Sequence, residues 1–131
     1  MTKYKSYKDC RGELIPIEFD SLPFEPKRIF VVQDVPIGFR RGFHAHFKNQ
    51  QFLICLKGKI RVGIHDGLAL KEKILRSKES ILIKNLEWDY QDFLEKKSIL
   101  LVICSTNFNK KDYILNFKKF TRLKKNAHNR I

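Results

Sequence analysis

The sequence predicts an all-β domain, an antiparallel jelly-roll sandwich or barrel followed by one C-terminal helix. Three observations carry this. About nine short runs rich in Ile, Val, Leu and Phe follow one another, separated by turn residues. Two of the junctions, Lys57-Gly58 and Asp66-Gly67, are tight-turn pairs. Helical spacing occurs only near the end of the chain. The 131 residues fit one domain, 1–131, long enough to bury a core without disulfides.

In chain order the strand-like runs are LIPIEF (14–19), KRIFVVQD (27–34), FRRGFHAHF (39–47), QFLICLK (51–57), KIRVGIHD (59–66), ALKEKILR (69–76), SILIKN (80–85), WDYQDFL (88–94) and SILLVICS (98–105). Asp66-Gly67 is the residue pair of a type I′ hairpin, and Glu95-Lys96-Lys97 is a polar break between strands. From Asn109 to about Leu123, the residues Tyr113, Phe117, Phe120 and Leu123 recur at helical spacing with lysines between them. This segment is expected to be a helix packed on the outside of the sheets.

Composition narrows the functional classes. Hydrophobic residues make up 43% and aromatics 12%, which is globular and not disordered. The net charge is +13, but the basic residues are spread along the chain, with one cluster in the terminal KKFTRLKKNAHNRI. No zinc-finger spacing, RNA-binding aromatic motif or helix-turn-helix accompanies them, so the charge favours a small polyanion, such as a nucleotide diphosphate, over nucleic acid. Cys10, Cys55 and Cys104 are odd in number and widely spaced, so they make no disulfide framework. The N-terminal MTKYKSYKDC lacks a signal-peptide core, and the longest apolar run, Ile99 to Cys104, is too short to span a bilayer. The expectation is a cytoplasmic protein with no membrane partner.

The informative stretch is RGFHAHFKNQQFLICLKG, residues 41–58. In a strand, residues i and i+2 share a face. His44 and His46 therefore point one way, toward a barrel interior or its mouth, while Phe43, Ala45 and Phe47 point the other. Metal ligation, proton transfer and a merely wet strand all remain open at this level.

The spacing around the pair is also patterned. Gly38 precedes His44 by six residues, Gln51 follows His46 by five, and Gly58 follows Gln51 by seven. This resembles the cupin signature, with glutamine where the metal-binding glutamate belongs. An amide oxygen is a poorer ligand than a carboxylate for a transition metal. The third histidine of a cupin metal site is also missing from SILIKNLEWDYQDF, and the remaining histidines, His65 and His128, stand elsewhere. Two ligands of four do not hold a catalytic metal securely. Acid–base chemistry is the reading that remains, because histidine both takes and gives a proton near neutrality.

A closer likeness covers nearly the whole chain: CRGELIPIE, PFEPKRIFVVQD, GFRRGFHAHFKNQQFLICLKGKIRV, LEWDYQDF and STNFNKKDYILNFKKF. It resembles the dTDP-4-keto-6-deoxyglucose 3,4-ketoisomerases, a sugar-isomerase branch of the cupins. The resemblance implies a jelly-roll homodimer that moves the carbonyl of a dTDP-linked keto-deoxyhexose from C4 to C3 without metal or redox cofactor, in deoxysugar biosynthesis for surface polysaccharide. By resemblance His44 is the catalytic base and His46 its assistant. Arg28 and Arg41 are expected at the substrate diphosphate, Gln51 at the sugar or base, and Trp88 either in the core or at the substrate-binding wall of the site. Arg11, before Gly12, leans toward a galacto-configured product. Two positions depart from the family: Asp89 stands where it carries histidine or arginine, and Phe30 where it often carries tyrosine. Tyr90 or water is the expected substitute for that hydroxyl. The alternatives are a cupin sugar epimerase, a non-catalytic nucleotide-sugar-binding cupin and a metal-dependent dioxygenase.

Overall fold

The computed structural model describes residues 2–129; the His128 side chain lies outside what it describes. The strands are β1 (Thr2–Lys3), β2 (Tyr7–Asp9), β3 (Gly12–Leu14), β4 (Arg28–Gln33), β5 (Arg40–His46), β6 (Gln51–Lys57), β7 (Lys59–His65), β8 (Leu70–Arg76), β9 (Glu79–Ile83), β10 (Trp88–Phe93), β11 (Ile99–Cys104) and β12 (Tyr113–Ile114), followed by the helix α1 (Phe117–Asn129). They form two five-stranded antiparallel sheets, β1-β9-β6-β11-β4 and β12-β5-β10-β7-β8, and a separate β2-β3 hairpin. This is the predicted two-sheet architecture with one helix.

The inner face of each sheet changes character along its strands, and this places the site. On β4 the inward residues run Arg28, Phe30, Val32; on β6, Gln51, Leu53, Cys55; on β10, Asp89, Gln91, Phe93. At one end Leu53, Cys55, Ile60, Val62, Leu75 and Leu100 interlock with Phe93 as a dry core. Each such side chain contributes about 1.5–3 kcal/mol by leaving water. At the other end the polar members face each other and cannot close the gap.

Three expectations change. LIPIEF is not a strand: only Gly12–Leu14 pairs, because Pro16 has no N–H for a ladder and breaks the run. The Asp66-Gly67 hairpin is a four-residue turn, in which the Asp66 carboxylate accepts the Leu68 and Ala69 N–H groups at 2.8 and 2.9 Å, and His65 pairs with Leu70. The helix starts at Phe117 and not at Asn109. Asn109 caps a single 3-10 turn, Lys110–Asp112, and Tyr113–Ile114 then becomes an edge strand on β5. Asn116 is the true cap, its side chain accepting the Lys119 N–H at 2.9 Å. The helix buries Phe120 against Ala45, Trp88 and Ile114 on the outer face of the second sheet.

Candidate active site

A cavity of about 270 Å³ opens at the polar end of the sandwich, with His44, Arg28, Arg41, Gln51, Asp89 and Tyr113 on its walls. A larger, shallow groove of about 680 Å³ lies between the Asp66 turn and α1. Basic side chains of the helix line that groove, and among the described residues no histidine does; the smaller cavity, with His44 on its wall, is the candidate site for acid–base chemistry.

Strand alternation alone would put Arg41 and His44, three residues apart, on opposite faces. Both line the cavity because β5 carries a bulge. His44 pairs with Asp89 and Gly42 with Tyr90, so Phe43 is the extra residue, and Gly42 and Phe43 take φ of +89° and +63°. Gly42 allows this: a Cβ there would sit 2.9 Å from the Asp89 carbonyl oxygen. The shift pairs Arg41 with Gln91 on the inner face and turns Arg40 outward, where it makes a two-pronged ion pair with Asp92 at 2.7 and 2.8 Å.

The two histidines differ in position. His44 reaches the cavity, and burial lowers its pKa, partly opposed by a ring hydrogen bond to the Gly42 backbone. That bond leaves the other ring nitrogen with the lone pair a base needs. His46 lies behind it, 3% exposed, facing a narrow crevice shared with Asn49 and Asp112. Burial, then the neighbouring His44, pushes its pKa down to about 4. His46 is therefore neutral at physiological pH.

The sequence alone does not single out Tyr113 as a site residue. Its ring lies 5.0 Å from that of His44 and 4.5 Å from that of His46. The strand pairing of Tyr113 with His46 puts it there. Asp112 fixes the approach, accepting the Lys48 and Asn49 N–H groups at 2.9 and 3.1 Å. The signal was Asp-Tyr-Ile at 112–114, hidden inside a helical pattern.

Gln51 lies at the cavity floor in one row with Cys104 and Arg28, its amide 3.8 Å from the Cys104 sulfur. The Arg28 guanidinium lies over the rings of Phe30 and Phe108, at 4.8 and 5.2 Å from their centroids. Asp89, only 1% exposed, holds Gln91 through one oxygen and has no partner for the other among the described residues. Burial pushes its pKa up to about 7.

Three expectations do not hold in this geometry. Trp88 is outside the cavity: its neighbour Asp89 points in, so Trp88 points out and packs on Phe117 and Phe120 at 5.2 and 5.7 Å. Arg11 sits at the β2-β3 turn, 86% exposed and paired with Asp9 at 2.6 Å, away from this chain's cavity. Tyr90 also faces out, donating its hydroxyl to Glu72 under the Arg40 guanidinium, and cannot replace a hydroxyl inside. Among the described residues, no group of three His, Cys, Asp or Glu side chains is arranged to hold a metal ion.

The comparisons agree with this architecture. The family model described as WxcM-like, C-terminal (FdtA) matches residues 1–125. TDP-4-oxo-6-deoxy-alpha-D-glucose-3,4-oxoisomerase of Aneurinibacillus thermoaerophilus is 34% identical over 122 residues, 89% of this chain and 88% of that one. Among solved structures, the sugar 3,4-ketoisomerase QdtA of Thermoanaerobacterium thermosaccharolyticum, in complex with TDP, superposes with a TM-score of 0.88 at 30% identity, covering 95% of this chain and 93% of that one. The TDP-fucose-3,4-ketoisomerase WlaRA of Campylobacter jejuni gives 0.85 at 32% identity, with 95% and 93% covered. The chain belongs to this family, the cupin-type sugar 3,4-ketoisomerases.

Proposed function

We propose that this chain is a dTDP-4-keto-6-deoxyglucose 3,4-ketoisomerase that works by acid–base enolisation. The observation that carries the reading is His44: a half-buried imidazole with a lowered pKa on the wall of a polar cavity, in a chain of this family. The carbonyl at C4 acidifies the hydrogen on C3. His44 removes it, and the electrons pass into a C3–C4 double bond and onto the C4 oxygen. Returning a proton to C4, while the proton of the C3 hydroxyl passes to the C4 oxygen, yields the 3-keto sugar. A base that carries no proton at the start is what such a step requires, and the lowered pKa of His44 favours that form.

The geometry supports a galacto-configured product. The C3 hydrogen of a gluco sugar and the C4 hydrogen of a galacto sugar lie on the same ring face, so one histidine can take the first and give the second. Arg28 and Arg41 bind the diphosphate, where a guanidinium matches phosphate oxygens. Gln51 hydrogen-bonds the sugar or the base, and His46 orients His44. Arg11, exposed on its hairpin, can serve only a neighbouring subunit's site. The working unit is a homodimer in the cytoplasm, a reading supported by Ile29 and Val31, half-exposed on the edge strand β4, and by three free cysteines.

A proton NMR time course of dTDP-4-keto-6-deoxyglucose with the protein in D2O tests the proposal. A 3-keto product, formed equally in EDTA, is the expected result, with deuterium at C4 wherever the His44 proton exchanges with solvent before its return; the H4–H5 coupling of the same product made in H2O reports the configuration. Tight TDP binding with no conversion would sink it in favour of a non-catalytic nucleotide-sugar-binding protein.

A further inference from the structure

Asp89 is a buried carboxyl group that enolisation by His44 leaves unused. It faces His44 directly across the β5-β10 pair, on the inner face, and both line the same cavity. Its Oδ2 accepts the Gln91 amide N–H, while Oδ1 has no partner among the described residues. The titratable or charged groups around it are His44 and Arg41 from β5, Arg28 from β4 and Tyr113 from β12, with Glu87 on its own side. No ion pair joins Asp89 to either arginine among the described residues, and its β7 neighbour is Ile64.

A carboxylate buried without a counter-charge is costly, and such a group holds its proton instead. The amide at Oδ2 makes that oxygen the acceptor. The proton then belongs on Oδ1, whose hydrogen-bonding capacity nothing in the protein uses. We propose that Asp89 is the neutral acid of the reaction, hydrogen-bonding the C4 carbonyl oxygen through Oδ1–H and shuttling protons between the two substrate oxygens. This rests on the isomerase reading above.

The steps balance. His44 takes the C3 proton, the C4 oxygen takes the Asp89 proton, and an enediol faces imidazolium and carboxylate. The carboxylate then takes the proton of the C3 hydroxyl, whose electrons form the new carbonyl, while C4 takes the proton from His44. Both residues return to their neutral forms. A neutral carboxylic acid donating to an oxyanion site is a known solution to this chemistry.

The test combines turnover with direct titration of the carboxyl. Carbon-13 NMR of aspartate-labelled wild type should show one carboxyl protonated at pH 5.5 that titrates near neutrality and is absent in Asp89→Asn. In Asp89→Asn, kcat should fall by ~10²–10⁴, with TDP affinity kept and the alkaline fall of the kcat/KM profile removed. A carboxyl ionised throughout, or an Asp89→Asn variant with wild-type kcat and profile, would overturn the role of Asp89 alone. Absence of turnover by wild type, with the carboxyl titrating as expected, would instead overturn the isomerase reading on which the role depends.

Discussion

The rings of His44 and His46 sit 4.9 Å apart, edge to face. At that distance two imidazolium ions repel, and burial already disfavours each charge. The pair therefore carries at most one proton near neutrality, and the open member, His44, is the one that can exchange it. Asn in place of His44 keeps a polar side chain but removes the base. His44→Asn is expected to lower kcat by ~10²–10⁴ while leaving TDP affinity within a few-fold. Steady-state kinetics and calorimetry check it; an active variant would place the base elsewhere in the cavity.

His46 has a signature in stability. Its folded pKa, about 4, lies below the ordinary 6.5, so the folded state resists protonating it. The stability this gives is complete above pH 6.5 and is lost as pH falls from there toward 4. The full shift corresponds to ~3 kcal/mol. His46→Phe should flatten the acid limb of a urea-denaturation series run from pH 7 to 4. Parallel limbs in the two proteins would mean that His46 is not held neutral.

Much of this was legible in the sequence, for identifiable reasons. The His-x-His pair declares a shared face because a strand has period two. The strands from β4 to β11 are bounded by Gly, Lys and Asn turns that end them within a residue or two of the expected positions. What was hidden depends on partners distant in sequence. Arg41 reaches the His44 face only through the bulge at Phe43, of which Gly42 was the faint local sign. Tyr113 sits at a helical spacing from Phe117, yet the open edge of β5 captures it as a strand. Trp88 and Asp89 are adjacent, and which of them faces the cavity follows from the register of β10 against β5, which no local pattern reveals.

Arg28 and Arg41 separate binding from chemistry. Both line the cavity, and the substrate would bring two negative phosphates to a chain with net charge +13. Each charge-assisted pair is worth ~1.5–3 kcal/mol, so Arg28→Ala and Arg41→Ala should each raise KM by ~10–100-fold with little change in kcat. Arg28→Lys should recover only part, because an ammonium cannot stack on the rings of Phe30 and Phe108 as a planar guanidinium does. A variant that lowers kcat at unchanged KM would move that arginine to the reacting carbons.

Trp88 tests whether position in the fold outweighs position in the motif. It is adjacent in sequence to the buried carboxyl of the site, yet its ring belongs to the cluster of Phe117, Phe120, Ala45 and Ile114 beneath the helix. Removing a buried indole leaves a void that the helix cannot close, costing ~3–5 kcal/mol. Trp88→Ala should therefore lower the urea midpoint strongly. Trp88→Phe, which refills most of the volume, should lose less stability and keep kcat and KM within two- to three-fold, because no substrate atom reaches that side of the sheet. A Trp88→Phe variant with near-normal stability but a kcat down tenfold would mean that the ring acts on the cavity. The sheet that separates the two compartments would then have to transmit a packing change through Asp89 to His44.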